Sequence, residues 1–120
     1  MNKADMKRKT MQFGLNIIKL VESLPRGRTA DAIGNQLLRS GTSVGANYRA
    51  ACRARSRADF ISKMGIVEEE ADESTYWIEV LVESGKVEFK TIESLMNDGN
   101  EILAITVSSI KTARSNRKIL

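Results

Sequence analysis

The chain has 120 residues, a formal net charge of +4, one proline, one cysteine and only six aromatic side chains (one Trp, two Tyr, three Phe). This length fits one domain, and the scarcity of proline and aromatic residues disfavours a β-sandwich or barrel. The lone cysteine excludes an internal disulfide framework. No apolar run reaches the roughly 20 residues that span a bilayer, and the basic amino terminus lacks the apolar stretch of a signal peptide. We therefore expect a soluble, cytoplasmic protein.

The apolar periodicity predicts four helices in one domain, residues 1–120, at about residues 3–23, 29–55, 57–84 and 87–117. In the first helix, apolar side chains recur on one stripe at Met6, Phe13, Ile17 and Leu20. Pro25 and Gly27 then end this helix, because proline disfavours helical backbone before it and glycine frees the chain.

The second segment has two interpretations at residues 39–47. Gly41 and Gly45, among serine and threonine, favour a loop, because each glycine in a helix costs about 1 kcal/mol relative to alanine. Together with Gly34, however, the same glycines place small residues near one stripe, where another helix can approach closely. We favour one continuous helix, since tertiary packing commonly overrides helix propensity.

The third segment has the clearest periodicity. Its apolar or small residues alternate at spacings of four and three: Phe60, Met64, Val67, Ala71, Ser74, Ile78 and Leu81. That spacing is typical of a helix packed lengthwise against other helices. Ser56 is the predicted N-cap, and Gly85 is predicted to end the helix. The fold class predicted is all-α, an antiparallel up-and-down four-helix bundle.

The charges are segregated along the chain. Residues 66–85 hold seven acidic and no basic side chains, whereas residues 1–28 hold seven basic against two acidic ones. In an antiparallel bundle, the first helix begins at the end where the second and fourth helices finish. Basic clusters should therefore converge there into a candidate nucleic-acid surface: Lys7, Arg8, Lys9, Arg49, Arg53, Arg55, Arg57, Arg114, Arg117 and Lys118. Tyr48 is the only good candidate for base stacking, so backbone binding is favoured over sequence reading.

A second interpretation is that these charges pair with each other. Arg49 and Arg53 can reach the acidic third helix within the chain or in a neighbouring subunit, and blocks of like charge are commonly paired or solvated. The two aromatic side chains of that helix favour packing in the core or at a subunit interface over ligand stacking. The predicted interface residues are Glu69, Glu70, Glu73, Tyr76 and Trp77. The sequence leaves both interpretations open.

Candidates for catalysis are few. The chain has no histidine, so imidazole acid–base chemistry is absent, and Cys52 lacks a histidine to activate it. Acidic pairs such as Glu70 and Glu73 have helical spacing, but the Glu-x-x-His motifs of di-metal bundles are missing. The glycines lack the lysine of a phosphate-binding loop. We expect no enzyme activity, no metal and no cofactor.

Two segments carry a resemblance. The first reads Q-L-x-R-S-x-x-S-x-G-A-N at Gln36, Leu37, Arg39, Ser40, Ser43, Gly45, Ala46 and Asn47. The second contains Asp59, Phe60, Lys63, Ile66, Glu70, Ala71, Glu73, Tyr76 and Trp77 in the order D-F-x-x-K-x-x-I, then E-A-x-E-x-x-Y-W. Over about residues 10–110, the chain resembles the four-helix bundle protein family first noted in intervening sequences of bacterial 23S ribosomal RNA genes. One departure is that Tyr48 and Arg49 stand where relatives often have Glu-Gly.

The resemblance implies a bundle that assembles into rings of five. One relative, the accessory variability determinant of diversity-generating retroelements, binds a reverse transcriptase and nucleic acid through a basic surface. The resemblance therefore implies a homopentamer in a bacterial cell, with RNA or DNA and a reverse transcriptase or other protein as possible partners. Two hypotheses follow: a non-enzymatic accessory protein that binds nucleic acid non-specifically, or a self-assembling scaffold without a nucleic-acid role.

Overall fold

The computed structural model describes the backbone of residues 1–119 and the side chains of residues 1–116. These residues form four helices and no strand: α1 (Lys3–Glu22), α2 (Arg28–Cys52), α3 (Arg57–Glu83) and α4 (Phe89–Ile119). Each helix packs against the next, and α4 returns to α1, which gives a four-helix bundle 53 × 22 × 21 Å in extent. The predicted all-α class is confirmed. Among the residues described, no helix is long and apolar enough to cross a membrane.

Local sequence signals fix where the helices begin and end. At α1, Asn2 Oδ1 accepts a hydrogen bond from the Asp5 backbone N–H (2.9 Å), and the Asp5 carboxylate accepts one from the Asn2 N–H, forming a capping box. The predicted cap at Ser56 is present, since its Oγ accepts from the Asp59 N–H at 3.0 Å. After α3, Gly85 has φ +78° and the Lys86 N–H donates to the Leu81 carbonyl, which is a Schellman ending.

The doubtful segment lies inside one uninterrupted α2, so the loop interpretation is wrong. The reason is the close contact of α1 with α2. Gly41 is buried, and a Cβ there would overlap Cδ1 of Ile17 in the core. A Cβ at Gly45 would lie 3.4 Å from the backbone carbonyl of Thr10. Packing at these two positions offsets the poor helix propensity of glycine. The helix ends at Cys52, earlier than the predicted residue 55.

The periodic third segment packs as its spacing predicts. Its a/d positions lie in the core as Met64, Val67, Ala71, Ser74, Ile78 and Leu81, all buried, and Phe60 is half-buried at the start of the helix. They meet large buried side chains of the other helices, including Phe13, Ile17, Leu37 and Ile102. The one polar member, Ser74, donates to Glu70 O and lies 3.1 Å from Ser40 Oγ, so its hydroxyl is satisfied in the core.

Candidate nucleic-acid interface

A cleft of about 540 Å³ opens at the end of the bundle where α1 begins, α2 finishes and α3 begins. We call it the basic cleft, and its lining residues are Lys7, Ala46, Arg49, Ala50, Arg53, Arg55 and Lys63. Five of these seven are cations and none is acidic. They come from α1, the last turns of α2, the α2–α3 turn and α3, so the fold collects charges that are far apart in the sequence.

The turn between α2 and α3 is held in place by Asp59. Its carboxylate accepts a hydrogen bond from the Arg55 backbone N–H at 3.1 Å and another from Lys63 Nζ at 2.7 Å. The hydrogen bond from Lys63, then the one from Arg55, holds the Asp59 pKa below its ordinary value. The backbone of Arg55 and the ammonium of Lys63 are therefore fixed beside the cleft.

The arginines of the cleft make no ion pair with a carboxylate among the described residues, although Asp59 lies close enough to Arg55 to interact with its charge. Within residues 1–116, ion pairs connect Arg8 with Asp5, Lys9 with Asp98 and Glu101, Arg39 with Glu70 and Glu73, and Lys63 with Asp59. None of these described pairs includes Arg49, Arg53 or Arg55. Three guanidiniums without internal carboxylate partners favour anions, and phosphate oxygens match their fork geometry.

The structure brings together four of the ten residues predicted to contact nucleic acid: Lys7, Arg49, Arg53 and Arg55. It also adds Lys63, which sequence reasoning missed as a site residue although it follows Asp59 by one helical turn. Of the other six, Arg8, Lys9, Arg57 and Arg114 do not line the cleft.

Two of those predicted cations pair with acidic side chains. Arg8 pairs with Asp5 in the first turn of α1. Lys9 lies 200° round the helix from Lys7 and pairs with Glu101 and Asp98 of α4, so only 19% of its side chain is exposed. The charge of Arg8 is therefore compensated within α1, and the charge of Lys9 is compensated by α4.

Two further cations of the prediction, Arg57 and Arg114, lie toward the same end of the bundle without lining the cleft. Arg57 is half-buried in the first turn of α3 and does not line the cleft. Arg114 is exposed on α4, whose last turns pass Phe60 at the start of α3. The side chains of Arg117 and Lys118 lie outside the described residues.

Tyr48 does not serve as a stacking platform. It is buried, with 7% of its surface exposed, and it packs in the core. Burial, followed by a hydrogen bond with Cys52, raises the pKa of Tyr48 to about 12. With Tyr48 inside the core, none of the described residues that line the basic cleft is aromatic. The cations that face the cleft are suited to phosphates, and the lining described offers no aromatic face on which a base could stack.

The acidic segment of α3 pairs with a different arginine from the two expected. Arg39 Nη1–H donates to Glu70 Oε2 at 3.1 Å and its Nη2–H donates to Glu73, which also accepts from Trp77 Nε1–H at 3.0 Å. The hydrogen bonds from Trp77 and Arg39 hold the Glu73 pKa below its ordinary value, and the bond to Glu73 raises the pKa of Arg39. We call this set, with the Ser40–Ser74 contact beneath it, the α2–α3 seam.

Of the five residues predicted to form a subunit interface, Glu70 and Glu73 thus pair within the chain. Trp77 is half-buried above the seam and contacts Tyr76 edge-on, with ring centroids 5.0 Å apart. Tyr76 and Glu69 remain exposed on α3. Arg39, Ser40, Glu70 and Glu73, which belong to the motifs that carry the resemblance, therefore build the α2–α3 seam and not the cleft.

The fold and the cleft define a class: a helical bundle with a cation-lined end and, within residues 1–116, no cluster of three or more acidic or cysteine side chains able to hold a metal ion. The chain belongs to the 23S rRNA-intervening sequence protein family, whose sequence model matches residues 2–108. No curated protein matches the chain.

A solved structure supports the fold. The chain is similar to a protein of unknown function from the S23 ribosomal protein family of Bacteroides thetaiotaomicron, solved by crystallography at 1.70 Å. The two are 40% identical with a TM-score of 0.85, and the match covers 92% of this chain and 99% of that one. The family and the fold are thus shown together.

Proposed function

We propose that this protein is a non-enzymatic, homo-oligomeric accessory protein that binds RNA or DNA through phosphate contacts in the basic cleft. One observation carries the proposal: Lys7, Arg49, Arg53, Arg55 and Lys63 line a single cleft that has no acidic lining residue. Lys63 is partly compensated by Asp59, whereas the three arginines make no ion pair within residues 1–116.

The chemistry of the cleft favours binding without sequence preference. Each neutralised phosphate releases condensed counterions, so five contacts would give a salt slope of about −4.5 in log K against log[salt] on duplex DNA. Arginine and lysine donate to phosphate oxygens, which are the same at every base pair. Tyr48 is buried, so the cleft offers no stacking energy to select unpaired bases.

An oligomer would multiply this charge. The family resemblance supports a ring of five copies, and a ring would place five cation-lined clefts on one particle. It also supports a reverse transcriptase or another protein as partner. Several weak phosphate sites on one particle bind a long nucleic acid more tightly than one site does, because every contact after the first is intramolecular.

A self-assembling scaffold is the second candidate function. It is favoured by a separate observation, an apolar groove between α1 and α2 that residues 1–116 leave uncovered. In that case the cations would serve assembly alone, and nucleic acid would not bind at physiological salt.

The test is binding of labelled single- and double-stranded RNA and DNA to the full chain between about 50 and about 200 mM salt. The test variant is the triple Arg49→Glu, Arg53→Glu, Arg55→Glu. The matched control, Lys19→Glu, Arg26→Glu, Arg28→Glu, makes the same change of charge at the opposite end of the bundle. Sedimentation of each variant records whether assembly is retained.

We expect steep salt dependence, similar affinity for different sequences, and loss of binding in the test variant only. Equal loss in both triple variants would mean that net charge, and not the cleft, attracts nucleic acid. Absence of binding by the unmodified chain at the lowest salt would overturn the proposal and leave the scaffold function.

A further inference from the structure

An apolar groove of about 210 Å³ runs between α1 and α2 beside the basic cleft. Its apolar and small lining residues are Met11, Gly14, Leu15, Ile18, Thr42 and Gly45, and it shares Lys7, Ala46 and Arg49 with the cleft. Met11 is 53% exposed and Leu15 is 45% exposed, which is unusual for large apolar side chains placed side by side.

The groove follows from two features of the sequence. Met11, Leu15 and Ile18 recur at i, i+4 and i+7, which makes a second apolar stripe on α1, about 120° or more round the helix from the core residue Met6. On the facing side, Gly45 and the exposed Ala46 leave α2 without bulky side chains. A stripe of large apolar side chains beside small residues forms a shallow groove, and such a groove can accommodate the apolar face of another helix.

A matching surface lies on the outer face of α3. Ile66 and Tyr76 are large apolar side chains, 41% and 55% exposed, and both point away from the core residues of that helix. Exposed Glu69 lies between them on the same stripe, with exposed Asp72 at its edge. This outer stripe thus combines apolar contact area with negative charge, whereas the groove combines it with the positive charge of Lys7 and Arg49.

We infer that the groove of one copy of this chain receives the outer α3 stripe of a second copy. Apolar side chains would cover each other, and the acidic residues of α3 would face the cations at the groove's end. The two surfaces lie on different parts of the chain, so the contact is heterologous and each copy can bind one neighbour on either side. The inference rests on the homo-oligomeric part of the proposed function and does not require nucleic acid.

A pair of single variants tests the pairing of these two surfaces. Leu15→Glu places a negative charge in the groove, and Tyr76→Arg places a positive charge on the outer stripe; both positions are exposed, and circular dichroism checks that the helices remain. Sedimentation velocity without nucleic acid should show an oligomer for the unmodified chain and the mass of one chain for each variant. Phe89→Glu, at a 53% exposed apolar position at the start of α4, is the matched control and should assemble normally.

Mixing the two variants gives the decisive result. Leu15→Glu keeps an intact outer stripe and Tyr76→Arg keeps an intact groove, so an equimolar mixture should form complexes that contain both variants, although neither variant assembles alone. A monomeric unmodified chain, normal assembly of either variant, or a mixture that stays monomeric would overturn the inference. A monomer that still binds nucleic acid with a steep salt slope would leave phosphate binding in the cleft intact, so the two failures are distinguishable.

Discussion

Two sets of arginines, one in the middle of α2 and one at its carboxyl-terminal end, have opposite surroundings. Arg39, in the middle of α2, donates to Glu70 and Glu73 and contributes to a seam that joins α2 to α3. Arg49 and Arg53, near the end of α2, face the basic cleft and make no ion pair within residues 1–116. The residue type is the same, and the opposing surface differs.

This difference shows that charge along a sequence does not by itself predict a binding surface. Of the seven acidic residues of segment 66–85, Glu70 and Glu73 pair with the arginine that faces them, which is Arg39. The arginines at the end of α2 lie opposite the start of α3, away from this acidic segment. The first carboxylate of α3, Asp59, forms an ion pair with Lys63. A binding surface forms where the neighbouring helix supplies no opposite charge.

The largest effect is expected from a substitution that disrupts the close α1–α2 packing, because this packing positions both sets of arginines. Gly41→Leu should lower the free energy of unfolding by about 3 kcal/mol, because the new side chain overlaps Ile17 where α1 contacts α2. Gly65→Leu is the matched control: nothing lies within 4 Å of a Cβ there, and the better helix propensity should stabilise the protein by up to about 1 kcal/mol. Urea unfolding measures both, and equal effects would contradict the account of the close contact.

The next effect separates the two sets of arginines by function. Arg49→Ala with Arg53→Ala should weaken duplex DNA binding about 30-fold at about 0.15 M salt and make the salt slope less steep by about 2, since two phosphate contacts are lost. Arg39→Ala should leave affinity nearly unchanged and lower the urea midpoint instead. Fluorescence anisotropy across a salt series measures affinity; comparable weakening by Arg39→Ala would erase the distinction.

A smaller effect tests the buried part of the seam. Ser74→Ala should cost about 1 kcal/mol of unfolding free energy, because the hydroxyl's contacts with Ser40 Oγ and Glu70 O are lost in the core. Ser62→Ala, at an exposed position of the same helix, should change stability by no more than about 0.5 kcal/mol. A Ser74 variant as stable as the Ser62 variant would show that the seam contributes little.

The smallest effect is a pH dependence. Glu73 has a pKa below its ordinary value of 4.5, so its ion pair adds stability above that value, and the stability is lost as the pH falls through the lowered pKa. Glu73→Gln should therefore flatten the decline of the urea midpoint between about pH 6 and about pH 3. Unchanged pH dependence in this variant would assign the decline to other carboxylates, such as Asp59.

The sequence predicts the fold well because its signals are local or periodic. The spacing from Met64 to Leu81 gives the buried face of α3, and Ser56 and Gly85 give its two ends. The continuity of α2 is harder to predict from the sequence, because glycine at position 41 has poor helix propensity. Its partner, Ile17, lies on another helix, and only their contact makes a glycine suitable there.

The site was predictable in part. Antiparallel topology alone brings Lys7 to the end of α2, beside Arg49, as expected. The position of a cation round its helix decides the rest: Lys9, two residues after Lys7, meets α4 and its acidic side chains. The pairing of Arg39 follows from the same antiparallel topology, because residues 39 and 70 lie equally far from the middle of the α2–α3 turn. Arg49 and Arg53 are nearer to Glu70 in the sequence, but they lie opposite the start of α3.

Lys7 and Arg49 line both the basic cleft and the apolar groove. If the two surfaces act as proposed, these side chains belong to two equilibria at once, and thermodynamic linkage follows. Phosphate binding then changes the affinity of one copy for the next by the same factor by which assembly changes the affinity for phosphate. Ionic strength would act on both equilibria through the same two cations, so particle size should vary with salt together with nucleic-acid occupancy.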